Sequence, residues 1–163
     1  SWEVAVLAHA LALIRRDVLG LPIDPNAVAT RALFHDATEA ITGDLPTPVK
    51  YSPAMRQATA HLEEQVAAEM TQLLPDVLRP ALQPMMQHDR WPADEAMLVK
   101  SADRLAAWLK CPAELRYGNR EFEQAEAQVR SKIEAHMSPE VQYFIDVFVP
   151  AYELTLDSLM QGG

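Results

Sequence analysis

Leu33-Phe34-His35-Asp36-Ala37-Thr38-Glu39, followed by Gly43-Asp44-Leu45-Pro46-Thr47-Pro48, joins the end of an apolar run to a histidine-aspartate pair, a carboxylate and a proline-locked turn. If the stretch is helical, His35 and Glu39 stand four residues apart on one face, with Asp36 three before Glu39. One imidazole and two carboxylates are then expected to converge. The segment from Gly43 to Pro48 cannot be regular helix, because each proline holds the residue before it extended. It reads as an anion-binding turn beside a metal site.

The residues on either side predict helices. Asp24-Pro25 gives an N-cap followed by proline at the first helical position, opening a helix that runs through Ala32, Leu33 and Phe34 into the pair. Upstream, His9 is the only strongly polar residue between Val4 and Ile14, as expected of a central helix buried on most sides. Arg15, Arg16 and Asp17 are expected to reach solvent, with Gly20 stopping the helix. Downstream, Ser52-Pro53 starts an amphipathic helix to about Leu74 with Glu63, Glu64 and Glu69 on its wet side, and Pro75, Pro80 and Pro84 break the next stretch into short pieces. A helix from about Asp94 to Lys110 gathers Leu98, Val99, Ala102, Leu105, Ala106 and Leu109 on one face, with Asp103 at the edge of that stripe. The stretch from Glu121 to His136 reads as a polar, mostly exposed helix. Ser138-Pro139-Glu140 caps a last helix carrying Val141, Phe144, Ile145 and Phe148, then Tyr152, Leu156 and Leu159 beyond a kink at Pro150.

At 163 residues with 49% hydrophobic content and only 5 glycines, the chain is expected to form one all-α domain around a single core. A net charge of -9 opposes a nucleic-acid polymer over most of the surface, while a small phosphorylated ligand needs only a local cation. Cys111 alone excludes an intrachain disulfide. No uninterrupted apolar run is long enough to span a membrane and the first residues do not have a signal-peptide layout, so the expectation is a cytoplasmic protein.

A divalent ion draws ligands from separated parts of the chain, and Asp103 is the natural distant partner for His35 and Asp36. It borders Val99 and Ala106, where a carboxylate is costly to bury unless paired or metal-bound. On the residues alone, an ion-paired or capping role for Asp103 outweighs ligation by roughly two to one, and His35-Asp36 stands at about even odds, raised by Glu39 on the same face. A carboxylate beside a water acidified by a cation can take its proton. Mixed imidazole and carboxylate ligation suits manganese, cobalt, nickel, zinc or iron and does not choose among them. His9 reads as a core histidine, His88 beside Asp89 as a surface loop pair in preference to a pocket residue, and His61 and His136 as residues of polar faces. Trp2, Trp91 and Trp108 read as packing residues.

His35-Asp36, the downstream Asp103 within Val-Lys-Ser-Ala-Asp, and the helices between them resemble the HD-domain metal-dependent phosphohydrolases. Phe34 to Glu39, Thr42 to Tyr51, Leu109-Lys110-Cys111, Gly118-Asn119, Glu121-Phe122 and Phe148-Val149-Pro150 are similar to the bacterial 5'-deoxynucleotidases of the YfbR type, over essentially the whole chain. The resemblance implies an HD-domain helical bundle that removes phosphate from deoxyribonucleoside 5'-monophosphates, with one divalent ion (cobalt, manganese, zinc, nickel, iron or magnesium) and a homodimeric assembly. It assigns His35, Asp36 and Asp103 as metal ligands, with the two aspartates also near the phosphate. It assigns Glu39 as the catalytic carboxylate and Asp44, Leu45, Pro46 and Thr47 as the turn that contacts substrate, where Asp44 either fixes the nucleoside or orients the water. The family's first metal-ligand histidine would immediately precede Ser1, and its Arg-Trp pair lies further upstream. The expectation is therefore a single HD domain over residues 1–163 that lacks its N-terminal helix, the alternative being a degenerate, weak metal site. His88 stands where relatives carry an acidic residue. The competing readings are an HD phosphohydrolase for a ribonucleotide or cyclic nucleotide, and a metal-binding regulatory module without turnover.

Overall fold

The computed structural model describes residues 2–45, 52–116 and 122–152, and these contain helices and turns but no strand. In chain order the helices are α1 (Trp2–Leu13), α2 (Pro25–Phe34), α3 (Glu39–Thr42), α4 (Arg56–Gln72), α5 (Arg79–Met86), α6 (Ala93–Arg116), α7 (Phe122–Ala135) and α8 (Pro139–Tyr152). A short 3₁₀ turn, His88–Arg90, leads into α6. The Asp24 cap is as the sequence predicts: its carboxylate accepts from the Asn26 N–H at 2.9 Å, with Pro25 at the first helical position.

α1 lies against α2 and α6, and α6 also packs on α7. Leu7, Ala8, Leu11 and Ala12 of α1, Val28 and Ala32 of α2, and Leu98, Ala102 and Leu105 of α6 form the centre of the core. The small residues Ala8, Ala12, Ala32 and Ala102 are buried at these contacts and allow the helices to approach closely. The apolar stripe of α6 is the one legible in the sequence, whereas α1 is open on one side. Trp2, expected to pack, is 76% exposed, and His9 is half-buried rather than enclosed.

Two further expectations are corrected. Arg15 is half-buried, unlike Arg16 and Asp17, which reach solvent as expected. After α1 the chain widens into a π-turn over Ile14–Val18, in which the Leu19 N–H bonds the Ile14 carbonyl at 3.0 Å, and this turn lies against α8. Arg15 there donates through Nη1 to Oε1 of the buried Glu140 at 2.6 Å. Gly20, at φ +67°, follows and completes the stop. Nor does Pro84 break the chain; it sits inside α5, as Pro112 and Pro150 sit inside α6 and α8. The Pro84 carbonyl accepts from the indole Nε1 of the buried Trp91 at 2.9 Å, tying α5 to the chain entering α6.

Candidate active site

The His-Asp pair is delivered by the end of α2, but not on a continuous helix. His35 to Thr38 form tight turns, with Ala37 N–H bonding Phe34 O and Glu39 N–H bonding Asp36 O, each at 3.0 Å, before α3 begins at Glu39. Part of the reason is local competition for the backbone: the His35 ring takes the Ala32 carbonyl through Nδ1 at 2.7 Å. His35 and Glu39 nevertheless line one cavity of about 380 Å³ together with Asp36 and Asp103.

That hydrogen bond fixes the chemistry of the ring. Nδ1 carries the hydrogen toward Ala32 and Nε2 is turned to the cavity, the arrangement that metal-binding histidines use. Nε2 is buried and has no hydrogen-bond partner of proper geometry, although Oδ2 of Asp36 lies 2.9 Å away and Oδ1 of Asp103 3.7 Å away. An orphaned buried nitrogen facing two carboxylates fits a cation. Among the described residues no group of three or more His, Cys, Asp or Glu side chains closes into a ready-made cage. Asp103 is the member that has to approach. It is 58% exposed rather than buried against the apolar stripe as expected, so a rotamer change there costs little.

Burial alone would lower the His35 pKa, but the Asp103 and Asp36 carboxylates and the Ala32 carbonyl outweigh it and push it up to about 9. Below about pH 9, and without a cation, a proton is held at the position that the donor set offers a metal. Because the folded value exceeds the ordinary 6.5, the protonated ring adds stability that is complete below pH 6.5 and lost as pH rises through about 9. Urea unfolding in EDTA is expected to show stability falling over that window in the wild-type protein and a flatter profile in His35→Asn. Parallel profiles would remove His35 as the responsible group.

The remaining walls come from elements whose role the sequence did not disclose. Arg56, Thr59 and Glu63 project from α4, His88 and Trp91 from the chain before α6, and Lys100 from α6 itself. Their spacing on α4, three and then four residues, is the signal of a shared face, but Glu63 read as part of a wet side. Lys100 lies one turn before Asp103. His88 belongs to the pocket rather than to an unrelated surface loop; its ring packs on Trp91 with centroids 4.4 Å apart, and burial lowers its pKa.

Asp44 is exposed just after Gly43, whose φ of +73° turns the chain out of α3, and Leu45 is half-buried. Neither is among the described residues that wall the cavity. Pro46 and Thr47 lie outside the described residues.

With this geometry in view, comparison with known proteins is specific. The family model described as 5'-deoxynucleotidase YfbR-like matches residues 1–152. The 5'-deoxynucleotidases YfbR of Salmonella paratyphi B and Salmonella newport are each 40% identical over 164 aligned positions, covering 100% of this chain and 82% of the relative. A crystal structure of an HD-domain phosphohydrolase from Listeria innocua matches with a TM-score of 0.78 and 22% identity, over 93% of this chain and 74% of that one. The expected HD-domain helical bundle is thereby borne out.

Proposed function

The chain belongs to the YfbR-like 5'-deoxynucleotidase family, and from that premise we propose how its cavity hydrolyses a deoxyribonucleoside 5'-monophosphate. The protein is a phosphoric monoester hydrolase that yields deoxynucleoside and phosphate. The observation that carries the site assignment is the buried Nε2 of His35, which faces the carboxylates of Asp36 and Asp103 without a well-directed hydrogen bond, in a cavity that Glu39 also lines.

His35, Asp36 and Asp103 would hold the ion. One divalent ion bound there supplies a Lewis acid for the phosphoryl oxygens and raises the acidity of the attacking water. Glu39 takes the proton of that water as its oxygen bonds phosphorus, and the bond to the 5' oxygen breaks as that oxygen takes a proton from solvent water, the proton on Glu39 passing to solvent to restore the carboxylate. Asp36 and Asp103 also border the phosphate. The segment Asp44-Leu45-Pro46-Thr47 follows directly from α3 and contacts the substrate, Asp44 fixing the nucleoside or orienting the water. The whole described chain works as one HD domain.

Phosphate release from deoxyribonucleoside and ribonucleoside 5'-monophosphates, in EDTA and with added cobalt or manganese, tests the reading. Metal-dependent release from the deoxy substrates supports it, and absence of release with every metal would overturn it. Asp103→Asn removes a formal charge from the ion. It is expected to weaken metal binding by at least the roughly 10–100-fold that loss of an outer-sphere partner costs, read as metal retained after dialysis. Unchanged retention would exclude Asp103 as a ligand.

Homodimeric assembly belongs to the same proposal. Tyr143, Val147 and Phe148 leave an apolar patch exposed on α8, with the Phe144 and Phe148 rings stacked at 5.1 Å. A monomeric mass by sedimentation at micromolar concentration would count against a dimer. No described helix is long and apolar enough to cross a membrane, and the substrate is met in the cytoplasm.

A further inference from the structure

A phosphate ester entering the cavity meets four carboxylates among the described wall residues, Asp36, Glu39, Glu63 and Asp103. A single divalent ion offsets only part of that charge when the ligand is itself dianionic. The same wall carries two permanent cations, Arg56 from α4 and Lys100 from α6. Neither has an ion-pair partner among the described residues, whereas Arg15, Arg16, Arg31, Arg79 and Arg130 are all paired. One turn beyond Arg56, Thr59 is 6% exposed and its Oγ1 is buried without a hydrogen-bond partner. An unsatisfied buried hydroxyl is costly unless something else completes it.

We propose that Arg56 and Lys100 bind the phosphoryl group of the substrate from two helices, with the Thr59 hydroxyl as a third, neutral contact. The proposal rests on the hydrolase reading above and adds residues that it does not use. Arg56 presents a planar fork of donors that matches two phosphoryl oxygens at once, while Lys100 acts as a compact point charge one turn from Asp103. α4 and α6 thus hold the phosphorus between the carboxylates that handle the proton and the ion. A phosphate held this way is oriented before reaction, and its charge is balanced where the field of the protein is otherwise repulsive.

The test titrates inorganic phosphate into the magnesium-loaded protein by calorimetry, beside steady-state hydrolysis of a deoxyribonucleoside 5'-monophosphate. Arg56→Gln and Lys100→Gln are each expected to weaken phosphate binding on the order of tenfold, as loss of a charge-assisted hydrogen bond implies. KM for the nucleotide should rise, while inhibition by the unphosphorylated deoxynucleoside stays unchanged. Arg56→Lys and Lys100→Arg should recover part of the loss, which a misfolded variant would not. Phosphate affinity equal to the wild type in both glutamine variants, or no phosphate binding by the wild type, overturns the proposal. Phosphate binding that the variants lose, in a protein that hydrolyses no deoxynucleotide, leaves this proposal standing and rejects the hydrolase reading instead.

Discussion

Glu39→Gln is expected to lower kcat by about 10²–10⁴-fold, the usual contribution of a general base, while leaving metal content and nucleotide binding near those of the wild type. The amide keeps the size and shape of the carboxylate but cannot accept the water's proton. In free energy the loss corresponds to about 3–5 kcal/mol of transition-state stabilisation. Glu39 opens α3, and its N–H bonds the Asp36 carbonyl, so the backbone fixes its place next to the proposed ligands independently of its charge. The side chain can therefore be changed without dismantling the turn. Single-turnover phosphate release under saturating metal separates the outcomes. A slow chemical step with retained metal supports the assignment, and wild-type turnover would transfer the base role to another group. An equal loss of metal and activity would make Glu39 a ligand instead.

How far the sequence foretold this arrangement depends on the range of the forces involved. The cap at Asp24-Pro25, the stop at Gly20 and the stripe from Leu98 to Leu109 are local, and each was legible because one or two residues determine them. The convergence of His35, Asp36, Glu39 and Asp103 was also legible, but for a partly mistaken reason. The four-residue spacing brings His35 and Glu39 to one face only on a helix, whereas tight turns after Phe34 bring the same residues to the cavity. The placement of Asp103 was argued from the cost of burial, yet its carboxylate is largely exposed at the cavity. Arg56, Thr59 and Lys100 were missed because their meaning comes from tertiary packing. On α4 and α6 taken singly they resemble any solvated face, and only the packing of these helices beside the end of α2 turns that face into a wall. Pro84 misled in the same way, since helices held by tertiary contacts accommodate a proline where an isolated helix would break.

Replacing Arg15 by methionine should destabilise the protein by about 3–5 kcal/mol, the cost of leaving one member of a buried ion pair uncompensated. Glu140 is 1% exposed, and its Oε1 receives the Arg15 guanidinium at 2.6 Å. Burial pushes the Glu140 pKa up, but the Ser138 hydroxyl, its own backbone N–H and Arg15 more than offset this and hold it below the ordinary 4.5. A depressed carboxylate contributes stability that is present above pH 4.5 and lost as the pH falls through the lower folded value. Arg15→Met removes part of what depresses it, so the gap between the folded and unfolded values narrows and the stability lost on acidification through this group should become smaller. The double variant Arg15→Met with Glu140→Leu removes both charges and should recover most of the stability, since paired buried charges are often replaceable by apolar groups of similar volume. Urea unfolding of the single and double variants at pH 7 and pH 4 tests this. If the single variant unfolds like the wild type, the pair contributes nothing. If the double variant is no better than the single, the loss lies in packing around the π-turn rather than in charge. Because α8 meets α1 and the π-turn through this contact, and α1 packs on the helix that carries His35, the same substitution should also weaken the hold on the active site.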